Sequence, residues 1–305
     1  MPIFEEVLKS PNVHILAGGA AQNAARGAQY LLPEKSVIYF GSTGEDAYSA
    51  ELRKANEEAG VFSNYMVHKD IPTGKCAALI TGHNRSLVTD LAAANHYKLE
   101  HLKAPENWKY VEGANFFYVG GFHLTVCPPA INALGEYAAE TNKIFSMNLS
   151  APFLPQFFKE PLDQSSLYWD YLIGNESEAL AYSESHELGT TDIESIAKHI
   201  ALLPKKNTKR ERVVIITQGV DDTIVVIGDV VKNTTTSYKY PVHKISNSEI
   251  ADSNGAGDAF AGGFLSALVK GKNLEDSVKT GQWLAAESLK LIGPAFPKEK
   301  KEPTF

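Results

Sequence analysis

Short apolar runs alternate with stretches of helical periodicity along most of the chain. The runs that predict strands are residues 13–17, 37–40, 115–119, 144–149, 171–173 and 213–217. The stretches that predict helices between them include 22–32, 47–59, 129–141 and 193–203. Because consecutive parallel strands need long crossover connections, this alternation predicts an α/β fold, with a mostly parallel central sheet covered by helices on both faces.

Two regions depart from the alternation. Between residue 64 and about residue 96, the β-rich runs 65–67 and 76–81 follow one another without a helical pattern, and the Pro- and Gly-containing stretch 70–74 predicts a turn. We therefore predict a small β lid at 63–96 and a discontinuous main domain formed by 1–62 and 97–305. After Thr217, the run 223–228 predicts a hairpin partner, and two long helices are expected at 256–270 and 274–291.

The segment 252–260 is a polar, glycine-bearing turn that leads directly into the first of these long helices. Backbone amides at a helix start carry the positive end of the helix dipole and favour anions. Gly255 and Gly257 remove side chains that would keep a phosphate away from those amides. A lone Asp at a helix start is ordinarily a cap. Between such glycines, however, Asp258 is suited to face a hydroxyl while the amides stabilise a transferring phosphoryl group.

Further polar motifs follow predicted strands. Gly18-Gly19 comes after the first strand and Gly120-Gly121 after the third, whereas 175–178 and 217–219 follow two later strands. Since ligands of open α/β sheets lie beyond the carboxyl ends of the strands, these motifs together predict one site. Taken singly, Gly18-Gly19 also fits a tight strand-to-helix turn, and Asn175 with Glu178 also fits a helix cap.

The segment 252–258 resembles the D-T-x-G-A-G-D signature of the pfkB/ribokinase family of small-molecule kinases, with Ser253 in place of Thr. The resemblance spans roughly residues 2–297, and within the family it is strongest to the members that phosphorylate a nucleoside. The other stretches that carry it are 17–23, 44–46, 72–78, 84–87, 91–95, 148–153 and 175–178. It implies a ribokinase-like fold, in which the central sheet is joined by a small β lid.

The resemblance implies transfer of the ATP γ-phosphoryl group to the 5′-hydroxyl of adenosine, giving AMP in purine salvage. Asp258 would accept the hydroxyl proton, and Arg85 of the lid would reach phosphate oxygens. The amides that would stabilise the transferring group are those of Gly255, Ala256 and Gly257. The implied contacts with adenosine are the ribose contacts of Gly18, Gly19 and Asn23, a contact of Asn254, and the apolar walls for the purine at Leu87, Leu91, Phe122 and Phe153.

The family also implies binding positions for ATP and for metal ions. The residues expected to bind ATP are Asn175, Thr217, Gly219, Ile250 and Gln282. Asn175 and Glu178 would organise Mg²⁺, reached through water. Asp252 and Ser253 would bind a monovalent cation, K⁺, which many members use.

Two alternatives stay open at this point. One is a sugar kinase of the same family, although the apolar and aromatic positions favour a purine. The other is a nucleoside-binding protein without turnover. It arises because family members begin several dozen residues upstream of Met1, and the absent part resembles G-N-P-L-L-D, whose Asp grips the ribose. We therefore expect the chain as written to be a poor enzyme and a poorly stable fold.

Composition narrows the class of protein further. With 305 residues, 44% of them hydrophobic, the chain can bury one large core. The net charge of −7 argues against a nucleic-acid partner or an anionic membrane surface, and the basic run 205–212 is expected to be a solvated loop. The two cysteines, Cys76 and Cys127, lack metal-binding spacing and fit a reducing compartment. We expect a monomer in the cytoplasm, with the nucleus as a further location.

Overall fold

The computed structural model describes residues 2–11, 13–81 and 84–305, with the side chains of Pro2, Ile80, Thr81, Asn84 and Arg85 left out. The described α-helices are α1 (Pro2–Leu8), α2 (Ala20–Leu31), α3 (Ala47–Glu58), α4 (Leu99–Lys103), α5 (Pro105–Gly113), α6 (Pro128–Thr141), α7 (Phe153–Phe157), α8 (Lys159–Ser166), α9 (Glu176–Ser185), α10 (Ile193–Ala201), α11 (Ala256–Val269) and α12 (Leu274–Leu289). The strands are β1 (Ile38–Gly44), β2 (Phe62–His68), β3 (Lys75–Thr81), β4 (Asn84–Asp90), β5 (Phe116–Gly120), β6 (Ile144–Asn148), β7 (Tyr171–Asn175), β8 (Arg212–Gln218), β9 (Asp221–Asp229) and β10 (Thr234–Tyr240). None of the described helices is long and apolar enough to cross a membrane.

The chain divides into two compact units. The first unit comprises Met1–Tyr97, Ser246–Ser266 and Trp283–Phe305, and the second comprises Lys98–Ile245 and Ala267–Gln282. The region predicted as a lid, 63–96, lies within the first unit, and its assignment as a separate lid domain stays a prediction.

A six-stranded sheet organises the second unit, in the order β10-β9-β8-β7-β6-β5. Strands β5 to β8 run parallel to one another, whereas β9 pairs antiparallel with β8 and with β10. The prediction of a mostly parallel sheet is confirmed, and so is the hairpin after Thr217. Strand β10 was not predicted, because its run of Thr, Ser, Tyr and Lys has little apolar content.

Both faces of this sheet are covered. Val214, Ile215 and Ile216 are consecutive residues of β8, and all three are 0% exposed. Successive residues of a strand point to opposite faces, so neither face is open to water at this strand. Helix α10 packs on β8 and β9, and α6 packs on β5 and β6. Helix coverage of the sheet, as predicted, is confirmed.

The first unit contains two small sheets. Strands β1 and β2 pair in parallel, and β3 and β4 form an antiparallel hairpin. The core of the first unit includes Leu31, Ala259 and Leu284, against which Phe296 packs. Helices α2 and α11 approach closely at Gly262, where an added Cβ would lie 2.6 Å from the carbonyl oxygen of Ala24. This close packing positions the two helix starts that carry the candidate site.

Two predictions of local structure are wrong. The described residues 13–19 form no helix or strand, although 13–17 was predicted as the first strand. Ile15 and Leu16 are 59% and 53% exposed, so the apolar run is not buried in a sheet. The run 65–67 does form a strand, but β2 pairs with β1 rather than with the other runs assigned to the lid. Periodicity identifies a strand only when the fold supplies a neighbour that takes its hydrogen bonds.

The expectation that the basic run 205–212 is a solvated loop is wrong for its two ends, Lys205 and Arg212, whereas Lys206 and Lys209 are exposed. The side chain of Lys205 is 0% exposed and lies 2.7 Å from Asp170, and Arg212 is also 0% exposed. The Arg212 guanidinium donates to the carbonyl oxygens of Ser166, Trp169, Ile200, Leu203 and Pro204. Lys205 and Arg212 therefore stabilise the second unit, because they donate to buried carboxylate and carbonyl oxygens that would otherwise have no donor.

Candidate active site

Helix α11 begins in the glycine-bearing turn that the sequence singled out. The amide of Ala259 donates to the carbonyl oxygen of Gly255 over 2.8 Å, which closes the first turn of the helix. The amides of Ala256 and Gly257 belong to that first turn and therefore have no acceptor within the helix. Asp258 lies in the same turn and is partly exposed. The helix start therefore combines anion-favouring amides with a carboxylate.

The two glycines of this turn serve different purposes. Gly255 adopts φ +81°, and a Cβ there would lie 2.7 Å from Cβ of Pro294, so both the backbone and the packing require glycine. Gly257 is exposed, and a Cβ added to it would find no heavy atom of the described residues within 4 Å. The fold itself does not require glycine at Gly257. The space beside its amide is open to a ligand.

Asp252 holds the loop that precedes this helix. One carboxylate oxygen accepts from the amide of Asn254 and the other accepts from the amide of Gly293, each over 2.9 Å. The predicted binding of a monovalent cation by Asp252 and Ser253 stays a prediction, as does the predicted contact of Asn254 with adenosine. Ile250, expected on the ATP side, is partly buried just before this loop.

The glycines before α2 lie beside the same helix start. Gly19 has φ +98° and accepts the first helical bond of α2 from the amide of Asn23 over 2.8 Å. Beside Gly18, an added Cβ would meet no heavy atom of the described part of the chain within 4 Å. The Asn23 side chain donates its Nδ2 to Oδ2 of Asp258 over 2.8 Å. The structure thus brings together Asn23 and Asp258, which the sequence placed in one site.

Arg26, a buried arginine that was not predicted from the sequence, contacts Asn23 of this pair. Arg26, 7% exposed, donates from Nη2 to Oδ1 of Asn23 over 2.6 Å and to the carbonyl oxygen of Ala17 over 3.0 Å. Its Nη1 donates to Oδ1 of Asn56 over 3.4 Å. Burial lowers the pKa of Arg26 below its ordinary value. The signal in the sequence was its spacing, since Asn23 and Arg26 are three residues apart and lie on one helix face.

The lid residues are described only in part. Leu87 and Leu91 are 50% and 39% exposed, and their contacts with a purine stay a prediction. Arg85 pairs with Ile80 in the β3–β4 hairpin, but its side chain lies outside the described part of the structure. The phosphate contact of Arg85 therefore stays a prediction.

The parallel strands of the second unit place the remaining motifs at one edge of their sheet. In the pairing register, Gly120 of β5 lies opposite Asn148 of β6, and Asn175 of β7 lies opposite Thr217 of β8. Each of these four residues stands at or next to the carboxyl end of its strand. This is the edge at which open α/β sheets bind ligands.

Asn175 and Glu178 form a capping box at the start of α9. Glu178 is 5% exposed and accepts through Oε2 from the amide of Asn175 and through Oε1 from its Nδ2, each over 3.0 Å. Hard oxygen donors of this kind suit Mg²⁺, and their burial and existing bonds favour contact through water. Among the described residues, no group of three or more His, Cys, Asp or Glu could hold a metal ion by itself. A role in Mg²⁺ binding stays a prediction.

Phe122 and Phe153 form an aromatic pair beyond β5 and β6. Their ring centroids are 6.1 Å apart, and the two side chains are 40% and 39% exposed. Ser150 fixes the loop beneath them, since its Oγ accepts from the amide of Gly121 over 2.9 Å while its own φ is +65°. No role for Ser150 was predicted from the sequence, because a positive φ at a serine leaves no signature in the pattern of residues.

Some of the other residues expected to bind ATP already make hydrogen bonds within the protein. Thr217 donates to the carbonyl oxygen of Gly174 over 3.3 Å, and Gly219 is exposed with φ +59°. Gln282 donates from Nε2 to Oγ1 of Thr223 over 3.0 Å and to the carbonyl oxygen of Tyr240 over 3.2 Å. Gln282 therefore joins α12 to strands β9 and β10, and its contact with ATP stays a prediction.

Comparisons with known proteins agree with this arrangement. A sequence profile described as "pfkB family carbohydrate kinase" matches residues 2–301. The adenosine kinase of Saccharomyces cerevisiae is 52% identical over 98% of this chain and 85% of its own. The Anopheles gambiae adenosine kinase in complex with P1,P4-di(adenosine-5) tetraphosphate has a TM-score of 0.93 at 41% identity, over 100% of this chain and 88% of that one. The Schistosoma mansoni adenosine kinase in complex with adenosine and AMP has a TM-score of 0.90 at 31% identity, over 98% and 86%.

Proposed function

Because the chain belongs to the pfkB family of carbohydrate kinases, we propose that it is an adenosine kinase, which transfers the ATP γ-phosphoryl group to the 5′-hydroxyl of adenosine. The observation that carries this proposal is the helix start at Gly255–Asp258, where Asn23 contacts the carboxylate. The similarity to adenosine kinases from a fungus, an insect and a flatworm supports adenosine as the acceptor.

Asp258 accepts the proton of the 5′-hydroxyl in this proposal. The hydroxyl oxygen forms a bond to the γ-phosphorus while the bond from that phosphorus to the β,γ-bridging oxygen breaks, so AMP and ADP are the products. Phosphoryl transfer depends mainly on positioning and on stabilisation of charge, which a weak carboxylate base can support. The amides of Ala256 and Gly257 stabilise the equatorial oxygens, and each such donor is worth roughly 2.7–4 kcal/mol in comparable sites.

The ribose and the purine call for different surfaces. Gly18 leaves open space at the start of α2, and Asn23 offers an amide that can donate and accept, as ribose hydroxyls require. Phe122 and Phe153 are exposed enough to stack on a purine, which offers a larger flat surface than a sugar ring.

Asn175 and Glu178 would hold, through water, the Mg²⁺ that accompanies ATP. When bound, that ion neutralises phosphate charge. The capping box fixes the orientation of the Glu178 carboxylate, because its two oxygens accept from the backbone amide and the side-chain amide of Asn175.

Acceptor specificity tests this proposal. The full chain is mixed with ATP and Mg²⁺, and ADP formation is measured with adenosine, ribose or fructose as acceptor, while calorimetry measures adenosine binding. We expect ADP formation to be faster with adenosine than with either sugar. Faster turnover of a sugar would replace the proposal by a sugar kinase. Adenosine binding without ADP formation would replace it by a nucleoside-binding protein.

A further inference from the structure

We propose that Arg26 is a positioning residue for phosphoryl transfer, which orients the Asn23 amide toward the catalytic carboxylate of Asp258. The inference rests on the proposed function for its kinetic part and on geometry alone for its structural part. The Arg26 guanidinium contacts Asn23, and Asn23 contacts Asp258.

The direction of the hydrogen bonds in this chain of contacts is fixed by chemistry. A guanidinium can only donate, so the group of Asn23 that faces Arg26 must be its oxygen. A carboxylate can only accept, so the group that faces Asp258 must be the nitrogen of the same amide. The observed contacts have this order, 2.6 Å from Nη2 of Arg26 to Oδ1 of Asn23 and 2.8 Å from Nδ2 of Asn23 to Oδ2 of Asp258. Arg26 and Asp258 therefore select the same orientation of the Asn23 amide, each from its own side.

Arg26 also holds the backbone that precedes the glycine turn. The Nη2 atom that contacts Asn23 donates as well to the carbonyl oxygen of Ala17, next to Gly18. One guanidinium thus links both elements proposed to bind ribose, the turn and the amide. The planar, rigid fork of Arg suits this task better than the single ammonium of Lys.

The environment fixes the guanidinium itself. Asn56 is 0% exposed and accepts from Arg26, while its Nδ2 lies within hydrogen-bond distance of Oε1 of Gln22, Oγ of Ser63 and the hydroxyl of Tyr65. A buried cation is costly unless its donors are satisfied. If position 26 served only for packing, an apolar side chain would fill it without the cost of burying a charge. The retention of a buried cation beside the candidate base therefore points to a functional role.

A double-mutant cycle tests whether Arg26 acts through Asn23. We expect Arg26→Met to lower kcat for adenosine by roughly 10- to 100-fold, the loss that follows a misplacement of about 1 Å. In the Asn23→Ala background, the same change should lower kcat by about 3-fold or less, because the group that Arg26 orients is already gone. Equal factors in both backgrounds would overturn the proposal. If Arg26→Met does not accumulate as folded protein, the cycle is run with Arg26→Lys, whose kcat should lie between those of the wild type and Asn23→Ala.

Tyr65→Phe is the matched control for a purely structural effect. It removes a hydroxyl from the same buried network without touching the contact between Arg26 and Asn23. We expect it to lower the melting temperature while changing kcat by about 3-fold or less. If its melting temperature and kcat fall in the same proportion as those of Arg26→Met, the role of Arg26 is structural.

A crystal structure of the Arg26→Met variant tests the geometry without any need for turnover. We expect the Asn23 amide to lie beyond hydrogen-bond distance of Asp258, and Arg26→Lys to keep the contact. An unchanged contact in Arg26→Met would overturn the proposal. Absence of adenosine turnover in the wild type would instead overturn the proposed function, and this structural comparison would still decide the role of Arg26.

Discussion

The side-chain amide of Asn23 donates a 2.8 Å hydrogen bond to the carboxylate of Asp258, although 235 residues separate the two in the sequence. The contact exists because two helix starts lie side by side, with α2 following Gly19 and α11 following Gly255. It connects the turn that we propose for ribose with the carboxylate that we propose as the base. Geometry of this kind is what phosphoryl transfer requires most.

Substitutions at the two glycines of the turn before α11 should have different effects, one mainly on activity and the other mainly on stability. Gly257→Ala adds a methyl group where no described residue lies within 4 Å, so the melting temperature should not fall. The methyl group would occupy the space of a phosphoryl group, and kcat should fall by roughly 100-fold or more, as on loss of one oxyanion donor.

Gly255→Ala is the matched comparison for this prediction. Its methyl group would collide with Pro294, and its φ of +81° is strained for alanine, so its melting temperature should fall clearly below that of the wild type. Thermal unfolding and initial rates are measured for both variants. A fully active Gly257→Ala variant would remove the proposed phosphate site from this turn.

Glu178→Gln should raise the Mg²⁺ concentration needed for half-maximal rate by roughly 10-fold or more, as for other residues that act on a metal indirectly. Adenosine affinity should stay nearly unchanged. Gln also fits the N3 position of a capping box, so the cap on α9 should be largely kept. Asp192→Asn makes the matching change from carboxylate to amide in the cap of α10, where Asp192 accepts from the amide of Ser195, and it is the control for the lost charge. The same Mg²⁺ dependence in all three proteins would reduce Glu178 to a cap.

Much of the fold of the second unit could be predicted from the sequence. Strand β8 reads as an uninterrupted apolar run because both of its faces are buried, and α10 shows a clear helical period because only one face is. Residues 13–17 look like such a strand by composition, yet Ile15 and Leu16 are exposed. Composition reports that a segment can be buried, whereas the tertiary fold decides whether it is.

Only some residues of the candidate site could be predicted from the sequence, because the others act through contacts that the tertiary fold creates. Gly255, Gly257 and Asp258 stand in one continuous segment, so a local pattern could reveal them. Arg26 and Ser150 act through contacts between distant segments, with Asn23 and Asn56 in one case and Gly121 in the other. A buried guanidinium and a serine with positive φ are products of the tertiary fold, and single-sequence patterns do not carry that information.

Arg212→Met should strongly destabilise the second unit. Burial lowers the pKa of Arg212 to about 10, so the group is still a cation at neutral pH, and it donates to five carbonyl oxygens. Since each buried acceptor left without a donor costs about 1–3 kcal/mol, we expect the free energy of unfolding to fall by about 3 kcal/mol or more. Urea unfolding measures the loss. Arg210→Met, which removes a partly exposed guanidinium, is the control and should cost about 1 kcal/mol or less. Equal losses of unfolding free energy in the two variants would contradict the larger stabilising role assigned to Arg212.

His123 should make stability depend on pH. Burial lowers the pKa of His123 from 6.5 to about 4. Between these values the unfolded chain binds a proton at this position and the folded chain does not, so stability falls as the pH is lowered through that window. We expect His123→Gln to lose less melting temperature than the wild type between pH 7 and about pH 5. His243→Gln changes an exposed histidine and should behave as the wild type does. Parallel curves for His123→Gln and the wild type would show that His123 makes no such contribution.

The most direct measurement of the central claim is AMP formation from adenosine and ATP by the full chain and by its Asp258→Asn variant. Asn at this position keeps the shape and can still accept from Asn23, but it cannot take up the hydroxyl proton. We expect the wild type to form AMP and the variant to do so more slowly by roughly 10²–10⁴-fold. Adenosine binding, measured by calorimetry, should be nearly the same for both. A variant that binds adenosine and forms AMP at close to the wild-type rate would contradict the assignment of Asp258 as the proton acceptor.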